Sequence, residues 1–311
     1  MKAITISKYG SKEELTEQEV PTPKINDNQV LVELYATSIN PIDWKLREGY
    51  LKDNLPFEFP IILGWDAAGI VKEVGSEVES FHVGDEVYSR PATTRMGTYA
   101  EYVAVEEELL AKKPNNLSFE EAASVPLAGL TAWQCLVDYG NVSEGDKVLI
   151  HAGAGGVGTF AIQIAKYLGA YVATTASEKN RELLERLGAD RVINYQQEDF
   201  TEQLSDYDFV LDTLGGAIQE KSYSILKKGG KLASVVQPPN EEVKEKYGVD
   251  AAFIWLNPNG KDLAKLGDLI EDGYVQPIVG KSYPFTEQGL KDAHELSESH
   301  HAKGKIVINL K

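Results

Sequence analysis

The chain has 311 residues, of which 42% are hydrophobic and 25% are charged, a composition typical of a globular protein with one large domain or two. Its net charge of −17 opposes binding to nucleic-acid backbones and anionic lipids, so we expect neither nucleic acid nor a membrane as its main partner. A single cysteine, Cys135, excludes an internal disulfide and a multi-cysteine metal site.

The apolar runs of the chain are short. None reaches the length of a membrane span, and the N-terminal stretch "MKAITISKYG" lacks the apolar core of a signal peptide. Together with the low cysteine content, these features predict a cytoplasmic protein.

The N-terminal part of the chain, up to position 110, contains short segments typical of β-strands. They are rich in Val and Tyr and are bounded by Gly, Pro or Asp. The segments are "VLVELYA" (30–36), "GIVKEVG" (69–75), "DEVYSR" (85–90) and "TYAEYVAV" (98–105). Their spacing is uneven and shows no repeat, so this half of the chain is predicted to be a small β-barrel or sandwich.

Strand and helix patterns alternate after residue 146, which predicts a parallel sheet with helices on both faces. A Ser-x-x-Glu capping box at Ser118 and Glu121 starts the first helical region before it. Two later helical segments, "KDLAKLGDLIED" and "EQGLKDAHELSES", lead to a closing strand, "KIVINL". The polar stretch 237–248 is predicted to be a mobile surface loop.

The segment "HAGAGGVG" (151–158) lies between a predicted strand and a predicted helix. Gly153, Gly155 and Gly158 fit the pattern G-x-G-x-x-G, and this context favours a dinucleotide-binding loop over a plain tight turn. Glycines let a diphosphate approach the backbone, where the free N–H groups and the helix dipole stabilise its charge. We expect Gly156 and Val157 to belong to the same site.

The end of the next strand, "VATTAS", favours NADPH over NADH. An NAD site usually has a carboxylate there for the ribose hydroxyl, and the expected position near Thr175 has none. Glu178 argues weakly in the other direction, and the residues that follow the strand can alternatively be ordinary exposed residues of a first helical turn. The candidate residues for the 2′-phosphate are Ser177, Lys179 and Arg181, and Tyr195 is a further candidate cofactor contact.

The order of these parts resembles the medium-chain dehydrogenase/reductase superfamily over essentially the whole chain. Several stretches are similar to its zinc-free quinone oxidoreductase (zeta-crystallin-like) branch: "SINPIDWKLREG", "GWDAAGIVKEVG", "VGDEVY", "AASVPLAGLTAWQ", "HAGAGGVG" and "GKIVINL". The resemblance implies an α/β fold, with a Rossmann doubly wound parallel sheet (123–258) and a GroES-like β-barrel catalytic domain (1–122 and 259–311). It also implies a homodimer.

The resemblance further implies that the protein binds no zinc. The zinc alcohol dehydrogenases have a cysteine where Asn40 stands and a histidine where Trp65 stands, and neither replacement is a good zinc ligand. We expect the five histidines to be surface or loop residues, with His300 and His301 on a late helix. Without a metal, alcohol oxidation is difficult because nothing stabilises the alkoxide.

Quinones and α,β-unsaturated carbonyl compounds (enones) remain suitable hydride acceptors, because they spread the arriving charge onto a distant oxygen. The predicted activity is therefore NADPH-dependent reduction of a quinone or enone. Two alternatives stay open: a reductase of saturated or unusual acyl substrates, and a non-catalytic NADPH-binding redox sensor or structural protein.

Few residues are candidates for the reaction centre. Asn40 and Tyr50 are possible hydrogen-bond donors, although Asn40 can equally satisfy the loop backbone and Tyr50 can have a packing role. Trp65 is expected to line the pocket, whereas Asp43 is predicted to be an N-cap and Asp66 to be structural. By resemblance, Thr131, Lys303 and Gly304 are candidate cofactor contacts, without a physical argument that separates them from ordinary residues.

Overall fold

A computed structural model describes all 311 residues of the chain. The strands are β1 (Lys2–Ile6), β2 (Thr16–Glu19), β3 (Gln29–Ile39), β4 (Ile61–Ile62), β5 (Ala67–Val74), β6 (Glu86–Ser89), β7 (Tyr102–Glu106), β8 (Leu110–Lys112), β9 (Lys147–Ile150), β10 (Tyr171–Ala176), β11 (Arg191–Asn194), β12 (Tyr207–Asp212), β13 (Leu226–Ser234), β14 (Asp250–Phe253), β15 (Val279–Pro284) and β16 (Lys305–Asn309). The α-helices are α1 (Pro41–Arg47), α2 (Phe119–Ala123), α3 (Pro126–Trp133), α4 (Gly156–Tyr167), α5 (Arg181–Arg186), α6 (Phe200–Gln203), α7 (Gly216–Ser222), α8 (Glu241–Tyr247), α9 (Gly260–Glu271) and α10 (Glu287–Glu298).

The chain divides into two compact units. Unit 1 comprises three segments, Met1–Leu127, Pro258–Asp272 and Pro277–Lys311. Unit 2 comprises Ala128–Asn257 and the short segment Gly273–Gln276. The sequence predicts domain boundaries after residues 122 and 258. These lie near the observed divisions at 127/128 and 257/258.

Unit 1 is built on two sheets. The larger sheet has the strand order β15-β16-β3-β5-β6-β8, and β7 also pairs with β3. All of its pairs are antiparallel except β15 with β16, and the smaller sheet has the order β2-β1-β4. The four strand segments predicted in the N-terminal part of the chain all overlap observed strands, namely β3, β5, β6 and β7.

The core of unit 1 follows from the alternation of side chains along these strands. Val30, Val32 and Leu34 of β3 point to one face and pack in a cluster with side chains of the neighbouring strands. A second cluster gathers Trp65, Leu46 of α1 and residues of β1 and β16. Fully burying an aliphatic side chain of this size contributes about 1.5–3 kcal/mol, so the strands that carry the polar residues described below are firmly held.

Unit 2 contains a six-stranded parallel sheet with the order β11-β10-β9-β12-β13-β14. Numbered within the unit, this order is 3-2-1-4-5-6, which is that of the doubly wound Rossmann fold. The predicted fold class is therefore confirmed for this unit. The order reverses between β9 and β12, and ligands of such sheets bind at the carboxyl ends of the strands beside this point.

One segment differs from the prediction. The stretch 237–248 is not a loop, because it contains the helix α8. Asn240 caps the helix by accepting the N–H groups of Glu242 and Val243, and Gly248 ends it in the left-handed conformation with φ +63°. Both signals stand in the sequence. None of the helices in the structure is long and apolar enough to cross a membrane.

Candidate cofactor site and active site

The glycine-rich loop of unit 2 joins β9 to α4, with Gly155 as the residue that precedes the helix. Two of its N–H groups are used inside the loop: Gly153 donates to Thr175 O at 3.1 Å and Gly155 donates to Ala152 O at 2.9 Å. Gly156 and Val157 open the helix, where no preceding turn supplies carbonyl partners. Their N–H groups therefore point out of the loop at the end of the helix that attracts anions.

The three glycines of the motif differ in the space around them. A Cβ atom on Gly153 would lie 2.0 Å from Thr174 Oγ1, and one on Gly158 would lie 2.6 Å from Ala152 O. A Cβ on Gly155 would meet only Ala152 O, at 3.3 Å. Gly153 and Gly158 are thus required by packing within the protein, whereas the space beside Gly155 stays open for a ligand.

The side chain of His151 supports this loop through hydrogen bonds inside the protein. Its ring is fully buried, with Nε2 2.8 Å from Ser222 Oγ and Nδ1 3.1 Å from Thr175 Oγ1. Ser222 Oγ donates to Ile218 O, so it accepts from Nε2–H, and Nδ1 accepts from Thr175. Burial lowers the pKa of His151 to about 4, so the ring is neutral and adds no charge to the loop. His151 is a loop residue, as predicted, although its ring is buried.

The end of β10 carries no carboxylate. Thr175 is buried, and its hydroxyl is engaged by His151 and by the N–H of Ala152 at 3.2 Å. Beyond the strand, Lys179 is exposed and forms no ion pair within the chain. Tyr195 is 60% exposed and its N–H donates to Ala176 O, so its backbone lies against the end of β10.

Arg181 has its guanidinium group already occupied. Its Nε and Nη2 bind the two carboxylate oxygens of Glu178 at 2.7 and 2.9 Å, and Nη1 donates to Val192 O. Glu185 lies 3.8 Å away. Ser177, half-buried, accepts from Asn180 at 3.3 Å. Two cations, Lys179 and Arg181, are candidates for binding a 2′-phosphate. Arg181 must first give up its ion pair with Glu178, whereas Lys179 has no ion pair to break.

Asn40 lies in a buried polar cluster of unit 1. Its side chain is 2% exposed; Nδ2 donates to Asp66 Oδ2 at 2.7 Å, and Oδ1 accepts from the ammonium group of Lys305. Asn40, not Asp43, is the N-cap of α1, so the predicted cap was wrong. Asp43 is the third helical residue, and its carboxylate accepts the Asn40 N–H at 2.7 Å.

Asp66 anchors this cluster, as the prediction of a structural role implies. Its Oδ1 accepts the N–H of Leu127 at 2.7 Å, and its Oδ2 also accepts Ser38 Oγ at 2.5 Å. Sequence reasoning missed Lys305. The sequence has no local signal for its burial, because four consecutive residues of β16 are buried and no alternation singles out the lysine.

A second buried network, made of hydrogen bonds, extends from Asp43 through Tyr99 to His294. Tyr99 OH is 2.9 Å from Asp43 Oδ2 and 3.0 Å from Nε2 of His294, which is fully buried on α10. Burial raises the pKa of Asp43 to about 7. The prediction of a surface or loop histidine was wrong for His294, which is buried within a helix. His300 and His301 follow the end of α10 instead of lying on it.

The remaining predicted residues lie in varied surroundings. Tyr50 is 71% exposed, and its ring stands edge-on to Trp44. Trp65 is fully buried in the hydrophobic cluster of unit 1, with its indole N–H donating to Thr94 O at 3.2 Å. In this respect it is like Asn40, which is also almost completely buried in this structure. Thr131 is buried on α3 in unit 2, and Lys303 is exposed beside the buried Gly304 of unit 1.

No three histidine, cysteine, aspartate or glutamate side chains lie close enough together to hold a metal ion.

Comparison with known proteins identifies the family. Models of the alcohol dehydrogenase GroES-like domain, of the zinc-binding dehydrogenases, and of the C-terminal domain of alanine dehydrogenase/PNT match residues 26–115, 187–308 and 135–218, respectively. A 2-methylene-furan-3-one reductase of Solanum lycopersicum is 39% identical over 99% of this chain and 79% of its own length. A chloroplastic NADPH-dependent alkenal/one oxidoreductase of Arabidopsis thaliana is 38% identical over the same shares.

A solved structure agrees with these relatives. The quinone oxidoreductase from Coxiella burnetii superposes with a TM-score of 0.91, at 38% identity, over 100% of this chain and 99% of its own. With the Rossmann sheet and the GroES-like half described above, these similarities define the class. The chain belongs to the medium-chain dehydrogenase/reductase superfamily, as the motifs predict.

Proposed function

We propose that this chain is an NADPH-dependent, zinc-independent oxidoreductase that transfers hydride to a quinone or an α,β-unsaturated carbonyl compound. Two features of unit 2 carry the proposal. The glycine loop is open to a ligand at the start of α4, and the end of β10 has no carboxylate but is followed by Lys179, which forms no ion pair. The names of the tomato, Arabidopsis and Coxiella relatives support the substrate class and the cofactor.

The residues present fit NADPH. The N–H groups at the start of α4 suit a diphosphate, and the open space at Gly155 lets it approach the backbone. When bound, the cofactor supplies the hydride. The residues that we propose to hold it are Gly153, Gly155, Gly156, Val157, Gly158, Ser177, Lys179, Arg181 and Tyr195, with Thr131, Lys303 and Gly304 added from the family resemblance.

The protein's own contribution to the reaction is to stabilise the negative charge that develops on the acceptor oxygen. Asn40 is the proposed donor, because Asp66 accepts only one of the two hydrogens on its Nδ2. Tyr50 is a second candidate, with an exposed side chain. The proposed role of Trp65 is limited to shaping the site through packing, since its side chain is fully buried.

An assay of NADPH consumption tests the function. Purified protein is mixed with NADPH and a panel of 3-buten-2-one, 2-hexenal and a naphthoquinone, with butanone as the saturated control, and absorbance is followed at 340 nm. We expect turnover of the unsaturated compounds only. Binding of NADPH without any turnover would instead support the non-catalytic alternative, and turnover of butanone would contradict the mechanism.

We also propose that the protein is a cytoplasmic homodimer. The supporting feature is β14, which pairs only with β13 and forms one edge of the parallel sheet. Such an edge offers unpaired N–H and C=O groups to another strand. Phe253 and Trp255, which end and follow β14, are 36% and 51% exposed. Light scattering of the native protein and of a variant with Phe253→Pro, which removes an N–H that faces away from β13 and so blocks pairing at the free edge, tests the dimer.

A further inference from the structure

Lys305 begins β16 and is 3% exposed, so its ammonium group is inside the protein. Its three hydrogens have three acceptors: Ile39 O at 3.0 Å, Asn40 Oδ1, and Asp66 Oδ2 at 3.4 Å. Two of these acceptors belong to the end of β3 and the turn that begins α1. The lysine therefore joins the closing strand of the chain to the segment that carries Asn40.

These contacts fix the orientation of the Asn40 amide. Its oxygen faces a donor that cannot accept, Lys305, and its nitrogen faces an acceptor, Asp66 Oδ2. Flipping the amide, so that its oxygen and nitrogen exchange places, would set its NH₂ group against the ammonium and its oxygen against the carboxylate. Both contacts would then be repulsive, so a single orientation is allowed.

Burying the ion pair of Lys305 with Asp66 removes both charges from water, which costs solvation free energy. Both side chains are almost completely buried, at 4% and 0% exposure. A buried ion pair generally adds little stability compared with apolar residues of similar volume, and its better-supported use is to select one arrangement of the surrounding groups. Burial also lowers the pKa of Lys305, although Asp66 and Asp43 oppose this effect.

We infer that Lys305 is a positioning residue for the hydride-transfer reaction. It holds the Asn40 amide in the orientation that keeps one N–H for the acceptor oxygen, and its positive charge strengthens that amide as a donor. The inference rests on the proposed function, since it assigns the second N–H of Asn40 to the substrate.

A double-mutant cycle on turnover tests the coupling. Lys305→Met keeps the length of the side chain without its charge, and Asn40→Ala removes the amide. If Lys305 acts through Asn40, each single variant lowers kcat for the enone at least tenfold, and the double variant is no slower than Asn40→Ala alone. Multiplying effects would show that the two residues act independently and would overturn the inference.

A charge-balanced variant separates positioning from folding, because Lys305→Met alone leaves Asp66 buried and uncompensated. Lys305→Met combined with Asp66→Asn removes both charges. We expect its Tm to return to within a few degrees of the native value, while kcat stays at least tenfold low and KM and NADPH affinity change less than threefold. A native kcat in this variant would show that Lys305 serves only as the counterion of Asp66, and it would overturn the inference. Lys311→Met, which removes an exposed lysine paired with Glu33, is the matched control.

A readout without turnover distinguishes this inference from the proposed function. In ¹⁵N-labelled protein, the side-chain amide signals of Asn40 are assigned by their loss in Asn40→Ala. We expect two well-separated hydrogens in the native protein and altered shifts in Lys305→Met. Unchanged signals would overturn the orienting role even if turnover is normal. Altered signals in a protein that consumes no NADPH would mean that the proposed function alone has failed.

Discussion

Arg47 Nη1 lies 2.9 Å from Nδ1 of His294, and this contact fixes the proton of the imidazole ring on Nε2. Arginine only donates hydrogen bonds, so Nδ1 must accept. Nε2–H then donates to Tyr99 OH, and the tyrosine donates to Asp43 Oδ2, which also accepts the N–H of Asn40. A directed chain of hydrogen bonds thus runs from Arg47 to the turn that holds Asn40.

This chain predicts a characteristic pH dependence of stability. Burial and the adjacent Arg47 lower the pKa of His294 to about 3, and burial lowers that of His151 to about 4. Below pH 6.5 the unfolded histidines bind protons that the folded ones do not, so both lower the stability as the pH falls. Asp43, with its pKa raised to about 7, has the opposite effect: between pH 3.8 and 7 the folded state holds its proton, so its contribution falls as the pH rises.

Asp43→Asn should therefore make the stability of the protein more sensitive to acid. We expect its free energy of unfolding to fall more steeply than that of the native protein between pH 6.5 and 4.5, by about 1.4 kcal/mol per pH unit for one proton. Urea unfolding at three pH values measures this slope. Asp53→Asn, at an exposed loop position, is the control. Parallel curves for Asp43→Asn and the native protein would contradict the assignment.

Alanine substitutions in the glycine loop are expected to have two different effects, one on stability and one on NADPH affinity. Gly153→Ala and Gly158→Ala place a Cβ atom within 2.0 and 2.6 Å of existing atoms, so we expect a loss of stability of about 1–3 kcal/mol or more. Gly155→Ala should change stability by less than about 1 kcal/mol, because its nearest contact is 3.3 Å away. Its NADPH affinity should nevertheless fall at least tenfold. Urea unfolding and fluorescence titration measure the two effects, and unchanged affinity in Gly155→Ala would refute the ligand role of this space.

The 2′-phosphate site predicts a preference for NADPH over NADH of about one to two decades, from one or two charge-assisted hydrogen bonds. Lys179→Ala should remove a larger share of this preference than Arg181→Ala, since Arg181 is already paired with Glu178. Glu178→Gln should raise NADPH affinity by releasing the arginine. NADH affinity should stay nearly constant in all three variants. Lys228→Ala, at another exposed position of unit 2, serves as the control, and equal affinities of the native protein for both cofactors would refute the site.

Asn40→Ala should lower the rate of enone or quinone reduction at least tenfold, with NADPH affinity changed only a few-fold. Losing one preorganised donor typically lowers turnover by about 10²–10³, although water can replace part of the effect. Asn40→Asp should perform no better, because it adds a second carboxylate beside Asp66. Steady-state kinetics measures both variants. If both retain the native rate, Asn40 serves only the loop, and Tyr50→Phe becomes the next test.

The absence of zinc is predicted from Asn40 and Trp65 at the positions where the zinc enzymes have ligands. Elemental analysis of protein purified without chelators should find well below one equivalent of zinc. A stoichiometric zinc ion that supports activity would contradict both the branch assignment and the mechanism.

The sequence predicts those features that depend on local pattern. The glycine loop, several strands of the larger sheet of unit 1 and of the parallel sheet, and the helices α9 and α10 follow from turn residues and hydrophobic periodicity. The family motifs supply the fold class. Helix α8 was predictable as well, because Asn240 and Gly248 are ordinary start and stop signals. It was missed because Val243 and Tyr247 are its only apolar residues and neither is fully buried, so no long apolar stripe marks it.

The buried polar networks could not be predicted in the same way. His294 meets Arg47 across 247 positions of sequence, and Lys305 meets Asn40 across 265. A histidine within a helix or a lysine at the start of a strand has the same local pattern whether it is buried or exposed. Only the packing of distant segments decides which of these side chains leaves water and what it then binds.

The insertion of unit 2 between the segments of unit 1 has a consequence for synthesis on the ribosome. All six strands of the parallel sheet emerge before β15 and β16, so unit 2 has its complete sheet while unit 1 still lacks two strands. Until the last residues are made, Asp66 has no Lys305 and Tyr99 has no His294. A chain that stops short of residue 305 therefore presents unpaired charges and an unfilled sheet edge, the features by which quality control recognises an unfinished protein.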